Sequence, residues 1–219
     1  MERIAHRGAK RELTENTMAA FARAYERGAD AVELDAHCTA DGVVVVHHDP
    51  TVGRRWAGRP LAELTWSEVA AVELDGGARI PRLSAVLAAT PPNATVYVEI
   101  KGARIEQAVV DVIRASDARC AIHSFDHDAI VRVGEIAPEI PRGVLFENAD
   151  VDILSVVRLT DARDVWPHFT LIDAGLVERV HAVRSRVIAW TVNDRGVAAR
   201  LAGLGVDGLC GDDVRLLTV

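Results

Sequence analysis

Short apolar runs alternate with stretches whose apolar residues recur at helical spacing, almost from one end of the chain to the other. The runs at 2–5, 31–36, 43–47, 95–100, 120–124, 142–146, 164–169, 187–192 and 206–209 read as strands. Between them, stripes such as Met18, Phe21, Ala22, Tyr25 and Leu176, Val177, Val180, Val183 read as amphipathic helices. Thr14 or Asn16 is expected to cap the first helix, and Gly28 to end it. The strand runs are continuously apolar, as parallel strands covered by helices should be. About eight strand–helix units predict an α/β chain closed into a (β/α)8 TIM barrel, with residues 1–219 forming one domain. An open doubly wound sheet is the alternative, but His6-Arg7-Gly8-Ala9 after the first strand lacks the GxGxxG spacing. The run 43–47 reads as an extra antiparallel arm. The Gly- and Pro-rich stretch 51–82 reads as a small insertion after the second strand, with a short helix near Thr65–Val72.

On this scaffold the polar residues inside apolar runs become informative. Glu33 and Asp35 are two apart in one strand, so both carboxylates point to the same face. Like charges are not kept together at a buried surface without a cation or a proton between them. Glu99 ends another run and Lys101 follows it on the same face, while His6 and His48 stand at the ends of apolar runs. In a barrel, chemistry collects at the carboxyl ends of the strands, where all of these lie. Three carboxylates are hard oxygen ligands that suit one divalent cation, Mg2+ or Ca2+, better than zinc. Such an ion would polarise a phosphoryl oxygen. Arg7 and Lys101 would add positive charge for the same anion, and His6 and His48 would move protons near neutral pH. This combination points to phosphodiester cleavage.

Composition narrows the class further. The net charge of -7 leaves no basic stripe for nucleic acid. It permits a small anionic substrate, because local charge in a pocket can oppose the global sign. Lys10 and Lys101 are the only lysines, which sets the one beside Glu99 apart. Cys38, Cys120 and Cys210 form no CxxC pair and no disulfide framework, and read as small buried hydrophobes. No secretory leader is visible and no apolar run approaches the roughly 18 residues of a membrane span. A cytoplasmic protein without stable membrane insertion is expected; its oligomeric state is left open.

Ala5-His6-Arg7-Gly8, Glu15-Asn16-Thr17, Gly28 through Asp35, Thr39-Ala40-Asp41-Gly42, Val46-His47-His48-Asp49-Pro50 and Arg54 follow one another in an order that resembles the glycerophosphodiester phosphodiesterases. The likeness continues through Ile80-Pro81-Arg82-Leu83, Val98-Glu99-Ile100-Lys101, His123-Ser124-Phe125-Asp126, Ala189 through Asn193 and Gly205 through Gly208, and spans essentially the whole chain. It implies a barrel with a small insertion that shapes the substrate pocket. It makes His6 and His48 the acid–base pair, Glu33, Asp35 and Glu99 the metal ligands, and Arg7 and Lys101 the phosphate holders. Trp190, Phe125 and His168 would line the pocket.

The resemblance implies a metal-dependent hydrolase that cuts small glycerophosphodiesters into glycerol 3-phosphate and an alcohol. Lysophospholipase-D-like cleavage of lysolipids and a non-catalytic phosphodiester-binding barrel are the alternatives. Three departures stand out. His47 adjoins His48; strand alternation puts them on opposite faces, and the resemblance gives the role to His48, because His48-Asp49 aligns with the family's His-Asp pair. Ser84-Ala85 replace an acidic residue after Leu83, at an expected helix cap. Gly211-Asp212-Asp213-Val214 differs from the family's Thr-Asp-x-Pro, which puts substrate contacts from that loop in doubt.

Overall fold

A computed structural model describes residues 1–52, 58–148 and 150–218; Arg54 and part of the 51–82 segment lie outside them. One sheet contains β1 (Glu2–His6), β2 (Ala31–Cys38), β3 (Val44–Val46), β4 (Thr95–Ile100), β5 (Arg119–Ser124), β6 (Arg142–Phe146), β7 (Asp164–Pro167), β8 (Arg186–Ala189) and β9 (Gly208–Gly211). The strand order is β1-β9-β8-β7-β6-β5-β4-β2-β3, and β1 also pairs with β2, so eight parallel strands close on themselves. β3 is the antiparallel arm, paired to β2 outside the ring. The chain is a (β/α)8 barrel.

The helices are α1 (Met18–Glu26), α2 (Trp66–Ala70), α3 (Leu83–Ala88), α4 (Glu106–Arg114), α5 (His127–Ile136), α6 (Ile153–Thr160), α7 (Ala174–Ala182) and α8 (Arg195–Gly203). Aspartates start the last four: Asp126, Asp152, Asp173 and Asp194 each accept a hydrogen bond from a first-turn amide. That satisfies otherwise orphaned donors where each loop leaves the barrel top. Two expected caps are corrected. The cap of α1 is Thr17, whose hydroxyl accepts from Ala20 N, because Asn16 is turned inward to Asp35. Ser84 lies within the first turn of α3, whose cap position is Arg82. The last strand runs 208–211 rather than 206–209: a turn at Gly205 (φ +84°) delays its start.

Alternation along the strands produces two apolar layers. Leu34, Val98, Ile122, Val144 and Val187 point out and pack under the helices. Ile4, Ala31, Tyr97, Ala121, Leu145, Trp166, Ile188 and Cys210 point in and fill the barrel. Gly143 makes room for the largest of these: a Cβ there would lie 3.0 Å from Trp166 Nε1 and 3.0 Å from His123 Cβ. The interior is therefore a packed plug that forms an apolar floor beneath whatever sits at the carboxyl ends of the strands. A separate small cluster, including Val45, Val52, Leu61, Leu64 and Ile80, ties the 58–82 segment to the arm.

Candidate active site

The register of β2 against β4 places Asp35 beside Glu99 and Glu33 beside Tyr97. All three acids are buried, and one ligand oxygen from each lies within 4.8 Å of the others. Among the described residues, this is the one group of His, Cys, Asp and Glu that could hold a metal ion. Burial over the apolar floor, with the neighbouring acids, pushes the Glu33 and Glu99 carboxyls up to about 7. Burial acts on Asp35 in the same direction. It is outweighed there by Arg7, Asn16 and Lys101, which hold the group below the usual carboxylate range. Asp35 Oδ1 is buried without a hydrogen bond. Clustered hard oxygens, one of them without a hydrogen bond and two resisting ionisation, form a donor set that fits a divalent cation.

Cations ring this cup. The backbone of Arg7 takes the left-handed conformation (φ 57°), uncommon for a residue with a side chain. It directs the Arg7 amide to the Glu33 backbone oxygen at 2.9 Å and to Glu33 Oε2 at 3.2 Å. Gly8 continues the turn, and a Cβ there would meet the Ala20 backbone at 2.8 Å. Arg7 Nε is 3.0 Å from Asp35 Oδ2, close enough for strong attraction though not aligned as a hydrogen bond. Its Nη1 donates to Glu15 Oε1 at 3.1 Å. Lys101 Nζ lies 3.3 Å from Glu99 Oε1 and 3.7 Å from Asp35 Oδ1. Asn16 Nδ2 donates to Asp35 Oδ2 at 2.8 Å.

A cavity of about 350 Å³ opens above the cup. His6, Arg7, Glu33, His48, Glu99 and Lys101 line the half supplied by β1, β2, the arm and β4. Phe125, Leu145, Trp166 and Trp190 line the half supplied by β5 to β8, with Glu147 at the end of β6. Phe125 and Trp190 meet edge to face with ring centroids 5.3 Å apart. The paired imidazoles are oriented alike: His6 Nδ1 is 2.7 Å from Asp212 Oδ1, and His48 Nδ1 is 2.7 Å from Asp49 Oδ1. In each ring this leaves Nε2 for chemistry. His47 is absent from the cavity wall, and burial lowers its pKa. His168 also lies outside the wall; its ring packs edge to face on Trp190 at 5.5 Å, and its Nδ1 is 2.7 Å from Thr170 Oγ1.

Several residues with no role assigned from the sequence join the site. Glu15 bridges Arg7 and Lys10, and Lys10 also reaches Asp212 at 3.4 Å, so both lysines of the chain belong to the rim. His123, fully enclosed, sits 3.7 Å from Glu33 Oε1; burial drives its pKa down to about 4, so it is neutral. Its signal was present, since its strand position shares the inward face with Ala121. Asp212 matches the Asp of the family's Thr-Asp-x-Pro, but its partner is 206 residues away and nothing local points to it.

The model of the glycerophosphoryl diester phosphodiesterase family matches residues 6–216. The chain is 32% identical to a glycerophosphodiester phosphodiesterase of Caldanaerobacter subterraneus subsp. tengcongensis, over 98% of this chain and 95% of that one. Among solved structures, a glycerophosphodiester phosphodiesterase from Agrobacterium tumefaciens superposes with a TM-score of 0.87 at 27% identity, covering 99% of this chain and 98% of that one. A phosphodiesterase from Oleispira antarctica, solved with the product sn-glycerol-3-phosphate, shares the fold with a TM-score of 0.89 at 24% identity, over 99% and 95% of the two chains.

Proposed function

Because this chain belongs to the glycerophosphoryl diester phosphodiesterase family and is an enzyme of that class, we propose that it cleaves glycerophosphodiesters with one divalent cation and two histidines. Glu33, Asp35 and Glu99 would hold the cation, and the all-oxygen donor set favours Mg2+ or Ca2+. When bound, the ion supplies positive charge to a phosphoryl oxygen. Arg7 and Lys101 draw the phosphate to the same spot, each already fixed by a cup carboxylate. His6 and His48 line the cavity with Nδ1 occupied, so Nε2 of one takes the proton of the attacking oxygen and Nε2 of the other protonates the leaving alkoxide.

The products are glycerol 3-phosphate and an alcohol. Phe125 and Trp190 form an apolar wall for the carbon skeleton, and His168 acts indirectly by bracing Trp190. Residues 1–219 work as one unit; among the described residues, none of the 58–82 segment lines the cavity. The observation that carries this reading is one cavity walled by both imidazoles and by Glu33 and Glu99, whose oxygens lie within 4.8 Å of each other and of Asp35. His6→Ala and His48→Ala should each lower turnover of a glycerophosphodiester by about 10²–10⁴-fold. Turnover of either variant within tenfold of the parent would remove that histidine from the mechanism.

A further inference from the structure

The loop after β9 does more than close the barrel. β9 pairs with β1 through Ala5 and Gly211, which delivers Asp212 to the side of His6. Asp212 Oδ1 is 2.7 Å from His6 Nδ1, and both side chains are largely buried. Asp212 is itself clamped. Its Oδ2 accepts from Asn193 Nδ2 at 2.8 Å, and its backbone amide donates to Asn193 Oδ1 at 3.0 Å. Lys10 lies 3.4 Å from Oδ1 and supplies the countercharge. By contrast, Asp49 beside His48 is exposed and adjacent in sequence, with no such clamp among the described residues.

We propose that Asp212, locked by Asn193, is a positioning residue that holds His6 as the Nδ1–H tautomer with its Nε2 lone pair turned into the cavity. The proposal rests on the reading of His6 as an acid–base group. A carboxylate whose residue makes two hydrogen bonds with one asparagine cannot swing away when the imidazole changes charge. The ring therefore keeps its orientation through the proton transfer, as expected for outer partners that orient a reactive histidine. Lys10 also touches Glu15, which holds Arg7, which contacts Asp35. The histidine and the acid cup are thus linked by one continuous chain of charge.

The test compares the parent enzyme with Asp212→Ala, Asp212→Asn and Asn193→Ala, all assayed with divalent ion on one glycerophosphodiester. In parallel, ¹⁵N NMR of the imidazoles reports the His6 tautomer without reference to activity. Asp212→Ala should reduce kcat by about 10–100-fold with KM changed less, and shift His6 from Nδ1–H towards a mixture of tautomers. The side-chain carbonyl kept in Asp212→Asn can still accept from Nδ1–H and should restore part of both. Asn193→Ala should move both readouts in the same direction by a smaller amount, and it keeps the test open if Asp212→Ala does not fold. A kcat within twofold of the parent, or a fall in kcat with the tautomer unchanged, overturns the positioning role. If His6→Ala keeps full turnover, the reading of His6 falls instead, whatever Asp212 does.

Discussion

Two of the three buried acids, Glu33 and Glu99, make the metal-free protein sensitive to pH in a direction opposite to that of a paired surface carboxylate. Burial and the adjoining acids hold Glu99 at about 7, against 4.5 in the absence of its surroundings. A group whose folded pKa is raised stabilises the fold fully below its unfolded value. That contribution is lost as pH rises from about 4.5 through 7. At 1.36 kcal/mol per unit, ionising Glu99 at pH 8 costs the metal-free fold roughly 3 kcal/mol. Glu99→Gln removes that cost, while exchanging the hydrogen bonds of a buried carboxyl for those of an amide returns about 1 kcal/mol at any pH. The variant should therefore be more stable than the parent by about 2 kcal/mol at pH 8. For a chain of this size that corresponds to a rise in Tm of roughly 4–8 °C. At pH 5, where Glu99 is protonated in the fold, the gain should shrink to within about 1 kcal/mol of zero. Thermal unfolding in EDTA at the two pH values measures both. Equal destabilisation at pH 5 and pH 8 would show that the acids do not repel one another in the cup.

Two further substitutions probe its supports. Asn16→Ala strips a hydrogen bond from Asp35 Oδ2 and should cost about 1–2 kcal/mol at pH 7. Because the Asp35 carboxyl is depressed in the fold, chiefly by Arg7 and Asn16 acting against burial, that loss should fade as pH falls below 3.8, as urea unfolding at pH 7 and pH 3 would show. Gly143→Ala would press a methyl against Trp166 and His123 and should destabilise by about 1–3 kcal/mol, read from the urea midpoint at constant slope.

What the sequence reveals and what it hides divide along physical lines. Strand period makes Glu33 and Asp35 legible as a pair, because two residues along a strand always share a face whatever the tertiary fold. Glu99 is legible at a similar level: an acid ending an apolar run has to be explained by something at the barrel rim. The register that sets Asp35 opposite Glu99 is a property of the assembled sheet. Asn16 misleads because asparagine is a good helix cap; its left-handed backbone (φ 57°) turns it to Asp35 and passes the cap to Thr17. The Arg7 turn is invisible for the same reason, since a positive φ at arginine is set by the packing of Gly8 against α1. Asp212 and Asn193 are hidden most completely. Their contacts to His6 and to each other exist only once β9 closes on β1, so Asp212 can be matched to the Asp of the family's Thr-Asp-x-Pro without any sign of what it touches.

Calorimetric titration of the metal-free protein with Mg2+ and with Ca2+ at pH 8 tests the carboxylate cup most directly. One ion should bind per chain in the parent and in His6→Ala and His48→Ala, and binding should be lost in Glu33→Gln, Asp35→Asn and Glu99→Gln. Undiminished binding in those three carboxylate variants, or no binding by the parent, would contradict a metal held between β2 and β4.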